Sequence, residues 1–169
     1  MSEVLEYKEI NNNRIKLFLK NNKKKIIFLV ITFFILIILA TFKNIRNINN
    51  NKLFSEKYIK ANINYSSGDK LSASKMFDQI ITSKNKFYSI LALNSVLEKN
   101  LVTDKNKILY YFETLETIKH TKNTRELIKF KKALYLLKIG EKEPAKNLLN
   151  DLIEENSILK ETASEILSK

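Results

Sequence analysis

A run of seventeen apolar residues near the N-terminus constrains this chain more than any other feature. Residues 26–42 read IIFLVITFFILIILATF, with no charge, no Gly and no Pro, and only Thr32 and Thr41 are polar. A helix of that length spans roughly 25 Å, slightly less than the ~30 Å hydrocarbon core of a bilayer. The flanking lysines extend the span because their alkyl stems can lie in lipid while their ammonium groups reach the headgroups. The sequence therefore predicts a single transmembrane helix over 26–42.

Two other interpretations of this run are weaker. A core helix that is apolar on every face needs a larger surrounding protein than 169 residues provide. A cleaved signal peptide would need a small residue two positions before its cleavage residue, and Ile38 occupies that position relative to Ala40. A retained single-pass anchor is the better prediction.

The net charge of +12 is distributed unevenly along the chain. Residues 1–60 carry 12 Lys and Arg against 4 Asp and Glu, a net of +8, and residues 61–169 carry 18 against 14, a net of +4. Most of the excess therefore surrounds the apolar run, where basic residues attract anionic lipid and set topology. This distribution favours a membrane surface over nucleic acid as the partner of the basic residues.

The segment before the apolar run is predicted to be cytoplasmic. The lysines and arginines before the run outnumber those in an equal stretch after it, which orients the N-terminus inward. Ile15, Phe18 and Leu19 fall on one helical face among basic residues, as in an amphipathic helix of the headgroup layer. A solvated charged tail is the alternative for this segment.

The rest of the chain reads as helices joined by short turns, because Gly and Pro are rare and Leu, Ile, Lys, Glu and Asn are abundant. The predicted helices run from about Lys52 to Ser66, Lys70 to Ser83, Phe87 to Lys99, after Asp104 to Lys119, after Thr124 to Ile139, Pro144 to Asn156, and from a Ser157 cap to Leu167. Gly68 and Gly140 are expected to end helices in the left-handed conformation.

An internal repeat organises these helices. Ala61, Gly68, Ala73 and Phe77 are spaced by seven, five and four residues, and Ala133, Gly140, Ala145 and Leu149 have the same spacing at an offset of 72. Half of that offset is close to the ~34-residue period of a tetratricopeptide repeat. Small alanines would let antiparallel helices approach closely, while Phe77 and Leu149 would fill the next interface. A degenerate middle repeat lies between these sets, with a longer turn near 100–104 that lacks glycine; an irregular helical bundle is the alternative.

These features predict an all-α protein in which a single transmembrane helix precedes a short, degenerate tetratricopeptide-like α-solenoid of helix pairs. We divide the chain into a basic amphipathic cytoplasmic segment (1–25), a transmembrane helix (26–42), a linker or helix extension (43–51) and a tetratricopeptide-like helical domain (52–169).

The inner face of the first repeat is the candidate surface for a protein partner. In the predicted register it carries Tyr58, Asn62 and Tyr65, and Phe130 is the matching position in the last repeat. Tyrosine and asparagine suit the recognition of an extended or helical peptide because they combine apolar area with hydrogen bonds. The alternative is that these side chains fill the core, as we expect for Leu134 and Leu137.

The layout as a whole resembles a known family. The approach EVLEYKEINNNRIKLFLKNNKKK, the single anchor and the final stretch GEKEPAKNLLNDLIEENSILKETASEILS together are similar to the YfgM-type family of bacterial membrane-anchored tetratricopeptide-like proteins, which are ancillary subunits of the Sec translocon. The resemblance implies an inner-membrane location with a periplasmic domain. It also implies contact with the translocon and with periplasmic chaperones or emerging polypeptides.

Catalytic patterns are not recognisable in the sequence. His120 is the sole imidazole and lies at a predicted helix end, where it is expected to interact with terminal carbonyls instead of acting as a base. No Gly-rich phosphate loop or metal-ligand spacing is present, and carboxylate pairs such as Glu113 with Glu116 read as solvated helix faces. We therefore predict no enzyme activity, no cofactor and no metal. The expected function is protein–protein interaction around export; a scaffold of envelope assembly or cell division is the alternative.

Overall fold

The computed structural model describes residues 22–168, apart from the side chains of residues 26, 40, 43, 44 and 47. Within that range the chain forms helices α1 (Lys23–Ser66), α2 (Lys70–Thr82), α3 (Tyr88–Glu98), α4 (Lys105–Glu116), α5 (Lys122–Lys138), α6 (Lys142–Glu154) and α7 (Lys160–Leu167), with no strand among the described residues. The all-α prediction is confirmed. The predicted amphipathic face of Ile15, Phe18 and Leu19 lies outside the described residues.

Helix α1 is longer than any helix that the sequence pattern predicts. It continues through 43–51 as a helix extension, which was one of the two predicted possibilities, because that stretch contains neither Gly nor Pro to interrupt it. The large apolar side chains described between Ile27 and Leu39 are all exposed. Among the residues whose placement is described, no helix is both long enough and apolar enough to cross a membrane. By its internal contacts the chain divides into two units, residues 1–49 and 50–169.

Three helices of the second unit, α2, α4 and α5, begin at N-caps whose side chains accept a backbone N–H. The Asp69 carboxylate accepts the Ser72 N–H at 3.0 Å, and the Asp104 carboxylate accepts the Asn106 N–H at 2.9 Å, as predicted for Asp104. The Thr121 hydroxyl accepts the Thr124 N–H, so α5 begins at Lys122 and not after Thr124 as predicted. These caps set the register of each following helix.

Left-handed residues end the odd-numbered helices α1, α3 and α5. Gly68 has φ +91° and Gly140 has φ +86°, and the middle turn places Asn100 at φ +48° in the same role. After each helix the left-handed residue and its successor donate their N–H groups back to carbonyls of the last turn, such as Gly68 to Tyr65 and Asn100 to Leu97. This is the Schellman arrangement, in which asparagine is the usual substitute for glycine. The middle turn lacks glycine but keeps the same geometry.

Three helix pairs share one register when they are aligned at these turns. The position seven residues before the left-handed residue is buried in every pair, as Ala61, Leu93 and Ala133. The position four residues after the N-cap is also buried, as Ala73, Ile108 and Ala145. So is the position eight residues after the N-cap, as Phe77, Phe112 and Leu149. The middle connection is longer, since six residues separate Glu98 from Lys105. The sequence repeat is therefore present as a structural repeat of three pairs, followed by α7.

The core of the second unit forms two clusters that meet at α5. The first cluster packs α1, α2, α3 and α4 around Phe77, Tyr111 and Phe112. The second joins α5, α6 and α7 around Leu149 and Leu152. Because Ile128 belongs to the first cluster and Ala133 to the second, α5 contributes one side to each.

A polar contact reinforces the packing of α2 against α4. The Tyr111 hydroxyl donates to the Asp78 carboxylate at 2.6 Å, and the Lys107 ammonium lies 3.2 Å from the same carboxylate oxygen. Burial and the Asp78 hydrogen bond raise the pKa of Tyr111 far above its ordinary value, so this phenol stays a donor at all working pH values.

Candidate functional site

Tyr58, the first residue of the predicted partner-binding face, lies between helices. Its ring packs edge-on against Phe77 at 5.7 Å and in a tilted arrangement against Tyr88 at 6.2 Å, measured between ring centroids. Its hydroxyl is 2.9 Å from that of Ser95. Tyr58 therefore joins α1 to α2 and α3 and is half-buried.

The other predicted residues divide between core and surface. Tyr65 packs against the first core cluster, and the Lys99 ammonium lies 4.9 Å from the centroid of its ring. Phe130 packs against the second cluster. Asn62 is half-exposed, and its side-chain N–H donates to the Tyr58 carbonyl at 3.0 Å. Leu134, expected in the core, is 40% exposed.

Two of the predicted residues, Tyr58 and Asn62, line a shallow groove of about 550 Å³ on α1. Ile59 and Ile63, which are exposed, line it with them, and the groove continues to Ser66 and Ser67. Each residue turns an α-helix by about 100°, so the one-residue difference between Tyr58 and Ile59 separates a buried side from an exposed side.

The same exposed side recurs on α3 and α5. This side consists of the positions thirteen, nine, six and two residues before the left-handed residue of each helix. In that order they are Ser55, Ile59, Asn62 and Ser66 on α1; Phe87, Leu91, Asn94 and Glu98 on or at the start of α3; and Leu127, Lys131, Leu134 and Lys138 on α5. All twelve are exposed or half-exposed. We call this set the odd-helix face. Its α3 members could not be found from the sequence because Asn100 was not recognised as the turn residue.

The composition of the odd-helix face suits contact with another polypeptide. Phe87 is 59% exposed and Ile59 is 55% exposed, so apolar area is left uncovered. Asn62 and Asn94 occupy the same register position on neighbouring helices and offer side-chain amides beside that area. A surface of this kind can bury apolar side chains and hydrogen-bond a peptide backbone.

The ionisable groups form ion pairs and caps. Glu116 accepts from the Lys132 ammonium at 2.9 Å, and Lys129 bridges Asp151 and Glu155. Burial lowers the pKa of His120, and the Leu115 backbone at the end of α4 opposes that shift. Within residues 22–168 no three His, Asp or Glu side chains come together as a metal site.

Comparisons with known proteins add no family to this description. The chain has no significant match among protein-family models, curated proteins or solved structures.

Proposed function

We propose that this chain is a single-pass membrane protein whose helical domain binds other polypeptides. The uncharged stretch 26–42 supports the anchor, since no charged side chain interrupts it. The exposure of its described apolar side chains on all sides of α1 also supports the anchor, because such a surface is compatible with lipid.

The helical domain is proposed to be a short tetratricopeptide-like solenoid. This proposal is supported by the register that the three helix pairs share, in which equivalent small or apolar residues are buried at each turn. Solenoids need a terminal element that covers the last apolar interface. Helix α7 has this position here, because Ala163 is fully buried against the second core cluster while Glu161 and Glu165 are exposed.

The observation that carries the binding role is the odd-helix face. In each of three successive pairs this face leaves at least one apolar side chain exposed (Ile59, Phe87 and Leu127), and two of the pairs have an asparagine at the same register position. A stacked array presents such positions as a row, and an extended or helical peptide can follow a row of this kind.

The resemblance to YfgM-type proteins suggests which polypeptides are involved. We propose an inner-membrane location with a cytoplasmic N-terminus and a periplasmic domain. The partners would be subunits of the Sec translocon, periplasmic chaperones or polypeptides emerging from the translocon.

Co-purification from gently solubilised membranes tests this proposal. Wild type is expected to recover translocon or chaperone components, and the Phe87→Ala, Asn94→Ala double variant is expected to recover about tenfold less, since central interface residues dominate affinity. Leu71→Ala is the matched control, because Leu71 is 82% exposed on α2 and lies outside the odd-helix face. Recovery of cell-division or envelope-assembly proteins in place of export components would contradict the export role. Equal recovery by the double variant would contradict the proposed face.

A further inference from the structure

A groove of about 530 Å³ opens between α4 and α6, and the end of α5 contributes to its wall. We call it the α4–α6 groove. Its apolar lining includes Leu109 from α4, Leu136 from α5 and Leu148 from α6. None of the twelve residues of the odd-helix face lines it. The groove is therefore a surface separate from the proposed binding face.

The α4–α6 groove marks a break in the packing of the even-numbered helices. Helix α2 packs more closely against α4 than α4 does against α6. Phe112 of α4 belongs to the first core cluster, whereas Leu149 of α6 belongs to the second. Leu136 lines the groove and is 6% exposed, and it belongs to neither cluster. The interface that is closed between the first two pairs is thus partly open between the second and third.

The closed interface between α2 and α4 shows what the repeat places there. Asp78 lies nine residues after the N-cap of α2. Its carboxylate accepts from the Tyr111 hydroxyl at 2.6 Å and lies 3.2 Å from the Lys107 ammonium. Tyr111 and Lys107 lie seven and three residues after the N-cap of α4. One carboxylate on the earlier helix therefore holds two donors that lie one turn apart on the later helix.

The same register positions line the α4–α6 groove, but the donors are missing. Glu113 lies nine residues after the N-cap of α4 and so corresponds to Asp78. The residues seven and three positions after the N-cap of α6 are Leu148 and Pro144, whose side chains have no hydrogen-bond donor. All three residues line the groove. The third pair therefore keeps the carboxylate of the repeat opposite it and lacks the groups that would bind that carboxylate.

Glu113 is the carboxylate of this groove that has no internal cation. Its side chain is exposed, and no hydrogen bond or ion pair of its carboxylate occurs within residues 22–168. The two lysines of the groove already lie beside other carboxylates: Lys132 donates to Glu116 at 2.9 Å, and Lys105 lies 3.9 Å from Glu141. The charge left without a partner in the groove is therefore negative.

We propose that the α4–α6 groove binds a helix of a partner polypeptide that carries a lysine and a tyrosine one turn apart, as α4 itself does toward α2. The lysine would pair with Glu113, to which its charge is complementary. The tyrosine ring would cover the apolar lining at Leu109 and Leu148, and its hydroxyl would donate to the same carboxylate. Hydrogen bonds to a carboxylate are stronger than those between neutral groups, and an aromatic ring adds buried apolar area. An acidic helix is disfavoured because Glu113 repels it.

This inference does not depend on the membrane anchor or on the odd-helix face. Its test can therefore fail while the proposed function stands, and the reverse is also true. Because Glu113 is exposed and makes no internal contact through its carboxylate, its substitution alters the site without removing an interaction of the fold.

The test is a titration of the full chain in uncharged detergent micelles, followed by backbone amide NMR signals. The probe is a capped alanine-rich helical peptide with lysine and tyrosine four residues apart. One control peptide has glutamate in place of the lysine, and another has lysine and tyrosine two residues apart, on different sides of the helix. The probe is expected to shift the signals of residues 105–113 and 141–148 saturably, and both controls should bind at least about tenfold more weakly.

Three outcomes of this titration would overturn the proposal. The first is the absence of a saturable shift in these two stretches. The second is equal binding by either control peptide. The third is a shift of the same signals on raising the protein concentration without peptide, which would assign the groove to a second copy of the chain.

Variants of the groove complete the test. Glu113→Gln should weaken binding of the probe about tenfold, because it removes the charge and keeps the shape. Glu154→Gln is the matched control, since Glu154 is an exposed glutamate of α6 that does not line the groove. The Pro144→Lys, Leu148→Tyr double variant restores the missing donors in register and should weaken probe binding at least about tenfold by pairing Glu113 internally. Equal affinity of wild type and Glu113→Gln would contradict the proposal, and this comparison decides even if the double variant unfolds.

Discussion

Asn100 does at the middle turn what Gly68 and Gly140 do at the turns before and after it. All three have positive φ, a conformation that glycine adopts freely and asparagine tolerates better than other residues with a Cβ. Glycine in the sequence marks such a turn unambiguously. Asparagine does not mark one in this chain, because asparagine is common throughout it. The first and last turns could therefore be predicted and the middle one could not.

We expect Asn100→Ala to destabilise the protein by about 1 kcal/mol, because alanine is strained at positive φ. Asn100→Gly should be neutral or slightly stabilising for the opposite reason. Thermal unfolding of the full chain in micelles measures both changes. Asn147→Ala is the control, because Asn147 is exposed within α6 and alanine is the better helix former there. Equal melting temperatures for the alanine and glycine variants at position 100 would show that the turn is not under this constraint.

His120 predicts a loss of stability in mild acid. Its folded pKa lies below the ordinary value of 6.5, chiefly through burial, and the charges of Lys86 and Arg125 lower it further. The unfolded chain then binds more protons below pH 6.5, so the histidine's contribution is complete above that pH and is lost as the pH falls. The groups around the ring are the Leu115 backbone, Lys86 and the ionisable side chains that line the same groove as His120: Glu116, Lys122, Arg125, Glu126, Lys129 and Glu155.

Melting temperatures of wild type and His120→Leu across the mildly acidic range test this prediction. The wild type should lose stability as the pH falls below about 6.5, and the variant should be flatter in that range. The pKa of Glu126 is lowered from 4.5, mainly by its Ser157 hydrogen bond, so its effect belongs to lower pH. A wild-type curve that is flat or rises as the pH falls from 6.5 would contradict the prediction.

At the scale of helices, the sequence predicted where each helix lies in the chain better than which of its sides faces solvent. The second-unit helices lie close to their predicted bounds because Gly68, Gly140 and Asp104 mark where helices end or begin. For α1, the sequence could not show that Tyr58 is half-buried beside the exposed Ile59, because the partners of Tyr58 lie on α2 and α3. Such partners are distant in the sequence.

Glu126 is a second side chain whose packing could not be predicted from the sequence. Its buried carboxylate holds the Ser157 hydroxyl and the Ile158 N–H at the turn before α7, and these partners lie about thirty residues away. A glutamate near the start of a helix is normally read as solvent-exposed. No local signal in the sequence separates this glutamate from Glu154 or Glu155, so its role depends on the packing of α5 against α6 and α7.

The proposed anchor makes a prediction at the scale of a single helix. Phe34→Lys with Ile37→Lys should move the protein from the membrane pellet to the supernatant on alkaline carbonate extraction, because each lysine near the centre of a span costs about 2.5–3.5 kcal/mol. Leu53→Lys with Ile63→Lys places the same charges on exposed positions of α1 outside the apolar run and should leave the protein in the pellet. Wild-type protein in the supernatant would contradict the anchor.

In the whole molecule, an apolar N-terminal stretch of α1 precedes an array of helices that repeats one buried register and one exposed face. The buried register explains how so short an array holds together: equivalent positions such as Phe77, Phe112 and Leu149 fill each interface. The proposed binding role depends on the exposed face, where Asn62 and Asn94 occupy the same register position. Neither role requires bond-making chemistry.

The most direct test of this account is photo-crosslinking in intact membranes from a benzophenone amino acid placed at Asn94 on the odd-helix face. Leu71 on α2 is the control position because it is more exposed but lies off that face. The account predicts discrete adducts with export components from position 94 and none of them from position 71. No adduct from position 94, or the same adducts from both positions, would contradict it.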